Sequence, residues 1–157
     1  MEYFLCIDKR ETSLFLITAA ALLSFSPNFG GEGFEISLNG KMLLQQFGKD
    51  LNTVKTLQLN PSSPNDQLTI RYHHCGRVGK NRVVTIKDAQ DKMVKEWHFP
   101  DASSALSTMS CPVKEIMGLK KNSGSVFKLY YSSTELPNGR QLASVVVGNN
   151  NIVESRK

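Results

Sequence analysis

The sequence predicts an all-β fold, an antiparallel β-sandwich of about eight short strands that follows an N-terminal signal helix. Three observations carry the prediction. Apolar and polar residues alternate through most of the chain after Gly33, the period of a half-buried strand. Turn-forming residues punctuate that alternation about every eight to twelve positions. No regular exchange of strand with long helix occurs, so a parallel α/β sheet has no support.

Phe34, Ile36 and Leu38 alternate with Glu35 and Ser37 and make the first strand. Asn39-Gly40 follows, then a run from Lys41 to Phe47. Asn-Gly between two such runs predicts a hairpin, because a type I′ turn needs positive φ at both central residues. In that register Ile36 faces Leu43. Leu57 and Leu59 mark a third strand over 54–59, and the Pro/Ser/Asn-rich stretch 60–66 is a loop. Leu68, Ile70 and Tyr72 alternate with Thr69 and Arg71 in the next strand. A loop over 76–81 leads to a β-branched strand over 82–87, a turn over 88–91, and a strand over 92–99 with Met93, Trp97 and Phe99 on one face.

Residues 100–107 read as irregular, and 108–113 as a strand. The spacing of Val113, Ile116 and Met117 fits a single helical turn near 114–119. A turn over 120–125 precedes a strand marked by Phe127, Leu129 and Tyr131. Pro137-Asn138-Gly139 reads as a turn and 142–147 as the last strand. The expected organisation is a signal peptide over 1–26, a β-sandwich domain over 27–148, Ig-like in general character, and a flexible C-terminal tail over 149–157.

The leader rests on the apolar run 14–23, preceded by Lys9-Arg10 and followed by Ser24-Phe25-Ser26-Pro27. A bilayer span needs roughly 20 apolar residues and a signal-peptide core roughly 7–15. The length favours export, to the periplasm or the extracellular space. Glu2, Asp8, Glu11 and Pro27 are poor signal features, and a buried N-terminal helix is the competing reading. The leader holds two basic and three acidic residues of the chain's 19 and 14, which leaves a mature chain of net charge +6. That mildly basic balance permits contact with anionic surfaces but shows no nucleic-acid motif. The mature chain holds no run long enough to span a membrane.

Export sets the cysteine chemistry. Cys6 leaves with the leader, and Cys75 and Cys111 remain as a candidate disulfide. The competing reading is two buried thiols. His73, His74, Cys75 and, by a fold contact, His98 are the candidate metal ligands for zinc or copper. In a strand His74 points opposite to His73 and Cys75, and on the Leu68/Ile70/Tyr72 phase it belongs to the core. A cysteine nucleophile would need His98 as its base. Gly76-Arg77-Val78-Gly79-Lys80-Asn81 lacks the glycine spacing and the Ser or Thr of a phosphate loop. Arg71, Arg77, Lys80, Arg82 and Lys87 precede the next acid, Asp88, and form a candidate basic patch for an anionic partner. Trp97, Phe99, Phe127 and Tyr131 read as core, and Tyr130 as the aromatic that faces away from it.

The general look resembles that of small exported bacterial β-proteins, and it carries no functional residue across. The expected function is a non-enzymatic binding or structural module acting through its surface. Its partner would be an anionic glycan, an envelope component or a protein. No cofactor is expected, and no catalytic residue is assigned. A periplasmic zinc- or copper-binding protein and a small secreted hydrolase of glycans or peptides are the alternatives.

Overall fold

A computed structural model describes residues 31–60, 63–105 and 107–148. The predicted signal peptide and the tail over 149–157 lie outside them. The described chain is mostly β, with nine strands in two sheets. Strands β1 (Glu32–Leu38), β2 (Lys41–Phe47), β4 (Gln67–His74) and β7 (Thr108–Pro112) form a four-stranded sheet in the order β2-β1-β4-β7. Strands β3 (Lys55–Leu59), β5 (Arg82–Lys87), β6 (Met93–Phe99), β8 (Val126–Ser133) and β9 (Leu136–Val147) form a five-stranded sheet in the order β3-β9-β8-β5-β6.

Alternation decides which side chains meet. Phe34, Ile36, Leu68, Ile70, Tyr72, Met109 and Cys111 of the first sheet are buried in one cluster with Leu57, Leu59, Val84, Ile86, Phe127, Leu129, Tyr131, Val145 and Val147 of the second. Each fully buried aliphatic side chain contributes roughly 1.5–3 kcal/mol. Tyr72 stacks on Tyr131 with ring centroids 4.5 Å apart, so the two sheets touch directly. Trp97 and Phe99 pack partly buried against the cluster, and Tyr130 faces away from it, as the alternation predicts.

Several details differ from the sequence reading. The Asn39-Gly40 turn forms with φ of 49° and 82°. A bulge between Ile36 and Ser37, however, pairs Ile36 with Leu44 rather than Leu43. The sheets are not wholly antiparallel, because β3 runs parallel to β9. Met93 is 56 % exposed: a register shift between Ile86 and Lys87 breaks the alternation at the start of β6. The turn between β8 and β9 falls at Thr134-Glu135, while Pro137-Asn138-Gly139 lies inside β9 at an irregularity opposite Tyr131–Ser133.

The helical turn near 114–119 is a full helix, α1 (Val113–Ser123). Val113 and Ile116 anchor it in the core, with Met117 and Leu119 packed alongside. The Val113 amide donates to the Asp66 carbonyl at 2.9 Å, satisfying one of the donors a helix start leaves open. Lys120 and Lys121 complement the negative end of the dipole, and Gly124 at φ 81° ends the helix. The Glu115 carboxylate holds the helix to edge strand β6, accepting from Lys95 Nζ at 2.6 Å and Trp97 Nε1 at 3.2 Å. The helix carries the chain from the four-stranded sheet to the five-stranded one.

Candidate functional site

The outer face of the four-stranded sheet is built by the residues that alternate with its core. Register places Gly33 opposite His73, Glu35 opposite Arg71 and Ser37 opposite Thr69. On the flanks Phe47 pairs with Gly33 and Thr108 with Arg71. Gly33 has a steric reason to be glycine, since a Cβ there would overlap the Phe47 ring. Phe47 therefore lies across the strand and meets the His73 ring at 5.3 Å.

Beside this aromatic pair, Arg71 Nη1 donates to Glu35 Oε2 at 2.8 Å. Glu35 Oε1 stands 3.5 Å from His73 Nε2. The carboxylate thus sits between two basic groups, and its side chain is 15 % exposed. Arg71 Nε and His73 Nε2 are buried without a hydrogen-bond partner among the described residues, so the carboxylate does not complete the hydrogen bonding of either side chain. Next to the ion pair lies a half-open pocket of about 300 Å³, lined by Glu35, Ser37, Met42, Thr69, Arg71 and Thr108, with Gly40 at its rim.

The inner face of the same strand holds a second polar cluster. His74 is buried, and its Nε2 lies 2.9 Å from the Tyr131 hydroxyl and 3.4 Å from Ser133 Oγ. Tyr72 donates from its hydroxyl to Glu32 Oε1 at 2.6 Å and accepts from Arg140 Nε at 3.0 Å. Burial lowers the His74 pKa, an effect reinforced by Arg77 and Arg82 and opposed by Glu135 and Glu32. Burial raises the Tyr72 and Tyr131 pKa values, so both hydroxyls keep their protons. Gly79 lies so close that a Cβ would stand 2.9 Å from the Tyr131 hydroxyl. This cluster ties the sheets together at one end.

The candidate metal ligands are not brought together. His73 is on the outer face, His74 on the inner face, and Cys75 is exposed at φ 52° in the turn beyond the strand. His98 is exposed on β6, where Glu96 contacts it at 2.5 Å. Among the described residues no group of three or more His, Cys, Asp or Glu is placed to hold a metal ion.

The candidate disulfide is absent, and both cysteines are free. Cys111 pairs with Leu68, whereas Cys75 lies seven positions further along, about 23 Å at a strand's rise. A disulfide needs Cα atoms within about 7 Å. Cys111 is buried, and that burial pushes its thiol up to about 12.

The five basic residues do not share a surface. Arg82 is buried and donates to the Pro100 and Ser107 carbonyls at 2.9 and 3.1 Å. Arg71 belongs to the outer-face ion pair, and Lys87 lies over the Tyr130 ring at the other end of β5. Only Arg77 and Lys80 share the exposed loop. Nor is that loop a phosphate cradle: the Lys80 amide donates to Glu135 Oε2 and the Asn81 amide to Asp101 Oδ1, each at 2.9 Å. Carboxylates occupy the donors that a phosphate would need.

Sequence reasoning missed Glu35 as a site residue. Its signal was slight, a lone acid in the outward phase of β1, and it gains a role only through cross-strand register. No protein-family model and no curated protein matches the chain. Among the described residues no helix is long and apolar enough to cross a membrane.

Proposed function

We propose that this protein is a non-enzymatic β-sandwich module that acts by binding through its surface and that it is exported, to the periplasm or beyond the cell. The sandwich reading is supported by the single core that both sheets share. An Ig-like character is supported by strand order. β1-β4-β7 corresponds to the A-B-E run of one Ig sheet and β9-β8-β5 to the G-F-C run of the other. Export is supported by the apolar run 14–23, whose length suits a signal-peptide core.

The observation that carries the binding reading is the pocket beside Glu35 and Arg71. It gathers a carboxylate, a guanidinium and three hydroxyls on a rigid sheet face. Glycoside hydrolysis would need two carboxyl groups across the bond, and Glu35 is the one acid among the described lining residues. Partners consistent with an exported module are an envelope component, a glycan or a protein.

Co-sedimentation of the full chain with an insoluble cell-envelope fraction tests this. The wild-type chain is expected in the pellet. The Glu35→Ala/Arg71→Ala double variant, with its circular dichroism unchanged, is expected in the supernatant. Absence of pelleting, or pelleting indifferent to both changes, overturns the reading.

A further inference from the structure

We infer that the outer-face pocket takes an uncharged, hydroxyl-rich ligand, a neutral sugar or short neutral oligosaccharide. The inference rests on the reading of this face as a binding surface and names its ligand class.

Charge is the first argument. Glu35 and Arg71 lie 2.8 Å apart and cancel as a pair. An anionic ligand at the pocket would meet the Glu35 carboxylate, and a cationic one would meet the Arg71 guanidinium. An uncharged ligand meets neither opposition. The exposed basic residues Arg77 and Lys80, which would suit an anion, lie on the loop beyond the end of β4 and do not line this pocket.

Hydrogen-bond chemistry is the second. A carboxylate only accepts and a guanidinium only donates, while each Ser or Thr hydroxyl does both. Glu35, Arg71, Ser37, Thr69 and Thr108 therefore ask for a ligand that presents donors and acceptors together at short spacing. Sugar hydroxyls do so at each ring position. Met42, 48 % exposed at the pocket wall, supplies a soft apolar surface for the C–H face of a ring.

Size and rigidity agree. The pocket, about 300 Å³, lies at the lower end of the range for ligand clefts. Glu35, Ser37, Thr69, Arg71 and Thr108 stand on three neighbouring strands whose register fixes them relative to one another. Little ordering is left to be done on binding.

The test is a titration of the full chain followed by backbone amide shifts. Chitotetraose, cellotetraose and maltotetraose are the neutral probes and tetragalacturonate is the anionic one. At least one neutral probe is expected to move the amides of Glu35, Ser37, Thr69, Arg71 and Thr108 with millimolar or tighter affinity. Thr69→Val, which keeps shape and strand propensity but removes the hydroxyl, is expected to weaken that binding about tenfold. If no neutral probe moves this face, or tetragalacturonate alone does, the ligand class is wrong. Envelope binding that still depends on Glu35 and Arg71 would then leave the binding reading standing, and its loss would remove both.

Discussion

His73 and His74 are neighbours on β4, yet they meet different physics. His73 projects from the outer face beside Phe47 and Glu35, near a pocket open to solvent. His74 projects inward, where Tyr72, Tyr131 and Ser133 surround it and the two sheets meet. One peptide unit separates a ring beside a candidate ligand site from a ring that closes the core. Residue type alone says little about role on a strand; the parity of the position says more.

The sharpest way to break this comparison is to remove the inner cluster's centre. Tyr131→Ala deletes a buried ring that stacks on Tyr72 and hydrogen-bonds His74, and we expect a loss of about 3–5 kcal/mol in urea denaturation. A loss below about 1 kcal/mol would mean that this cluster does not hold the sheets together. The histidines themselves come next. His74→Ala removes one of the partners of the buried Tyr131 hydroxyl and should cost about 1–3 kcal/mol. His73→Ala should cost about 0.2–1 kcal/mol, the scale of a cross-strand pair. Equal costs would erase the distinction.

Acidity separates the inner ring by sign. The folded pKa of His74 lies below its ordinary value of 6.5. Between those two values the unfolded chain binds the proton more readily. The contribution of His74 to stability is therefore whole above about pH 6.5, declines as pH falls toward the folded pKa, and then levels off. Denaturation midpoints at pH 8 and pH 5 should differ more for the wild-type chain than for His74→Gln. An equal difference would show that the ring is not held neutral. An effect as small as that of His73→Ala belongs to the outer ion pair: Arg71→Ala breaks a partly exposed pair and should change stability by about 0.2–1 kcal/mol. Its consequence should appear in binding.

The cysteines extend the contrast between open and buried positions. In a Cys6→Ser chain, a thiol reagent should titrate Cys75 at once and Cys111 only after unfolding, since the first is exposed and the second buried. No free thiol in the unfolded, unreduced chain would restore the disulfide that the fold separates.

Local pattern made much of this architecture legible. The Phe34/Ile36 and Leu68/Ile70/Tyr72 phases put those residues inside, and the same count placed His74 with them. Asn39-Gly40 announced its turn through a backbone requirement that few other residue pairs meet. What escaped was whatever depends on distant partners. The bulge that pairs Ile36 with Leu44 has no marker in Lys41–Phe47. Helix α1 runs to Ser123 through Gly118 and Asn122, residues of poor helix propensity, because Val113 and Ile116 are fixed in the core. Glu35 and Arg71 are 36 positions apart and meet only because β1 and β4 pair in one register. The basic residues looked contiguous along the chain, but alternation and strand length scattered them, and Arg82 went inside.

The parallel pairing of β3 with β9 has a consequence for how the molecule is made. Lys55 pairs with Ala143, a separation of 88 residues. A chain emerging from its N-terminus carries β3 without its neighbour until β9 has followed. Such non-local closure slows folding, and an unpaired strand is exposed to wrong partners while it waits. The five-stranded sheet therefore gains its β3 edge only once β9 is available to pair with it.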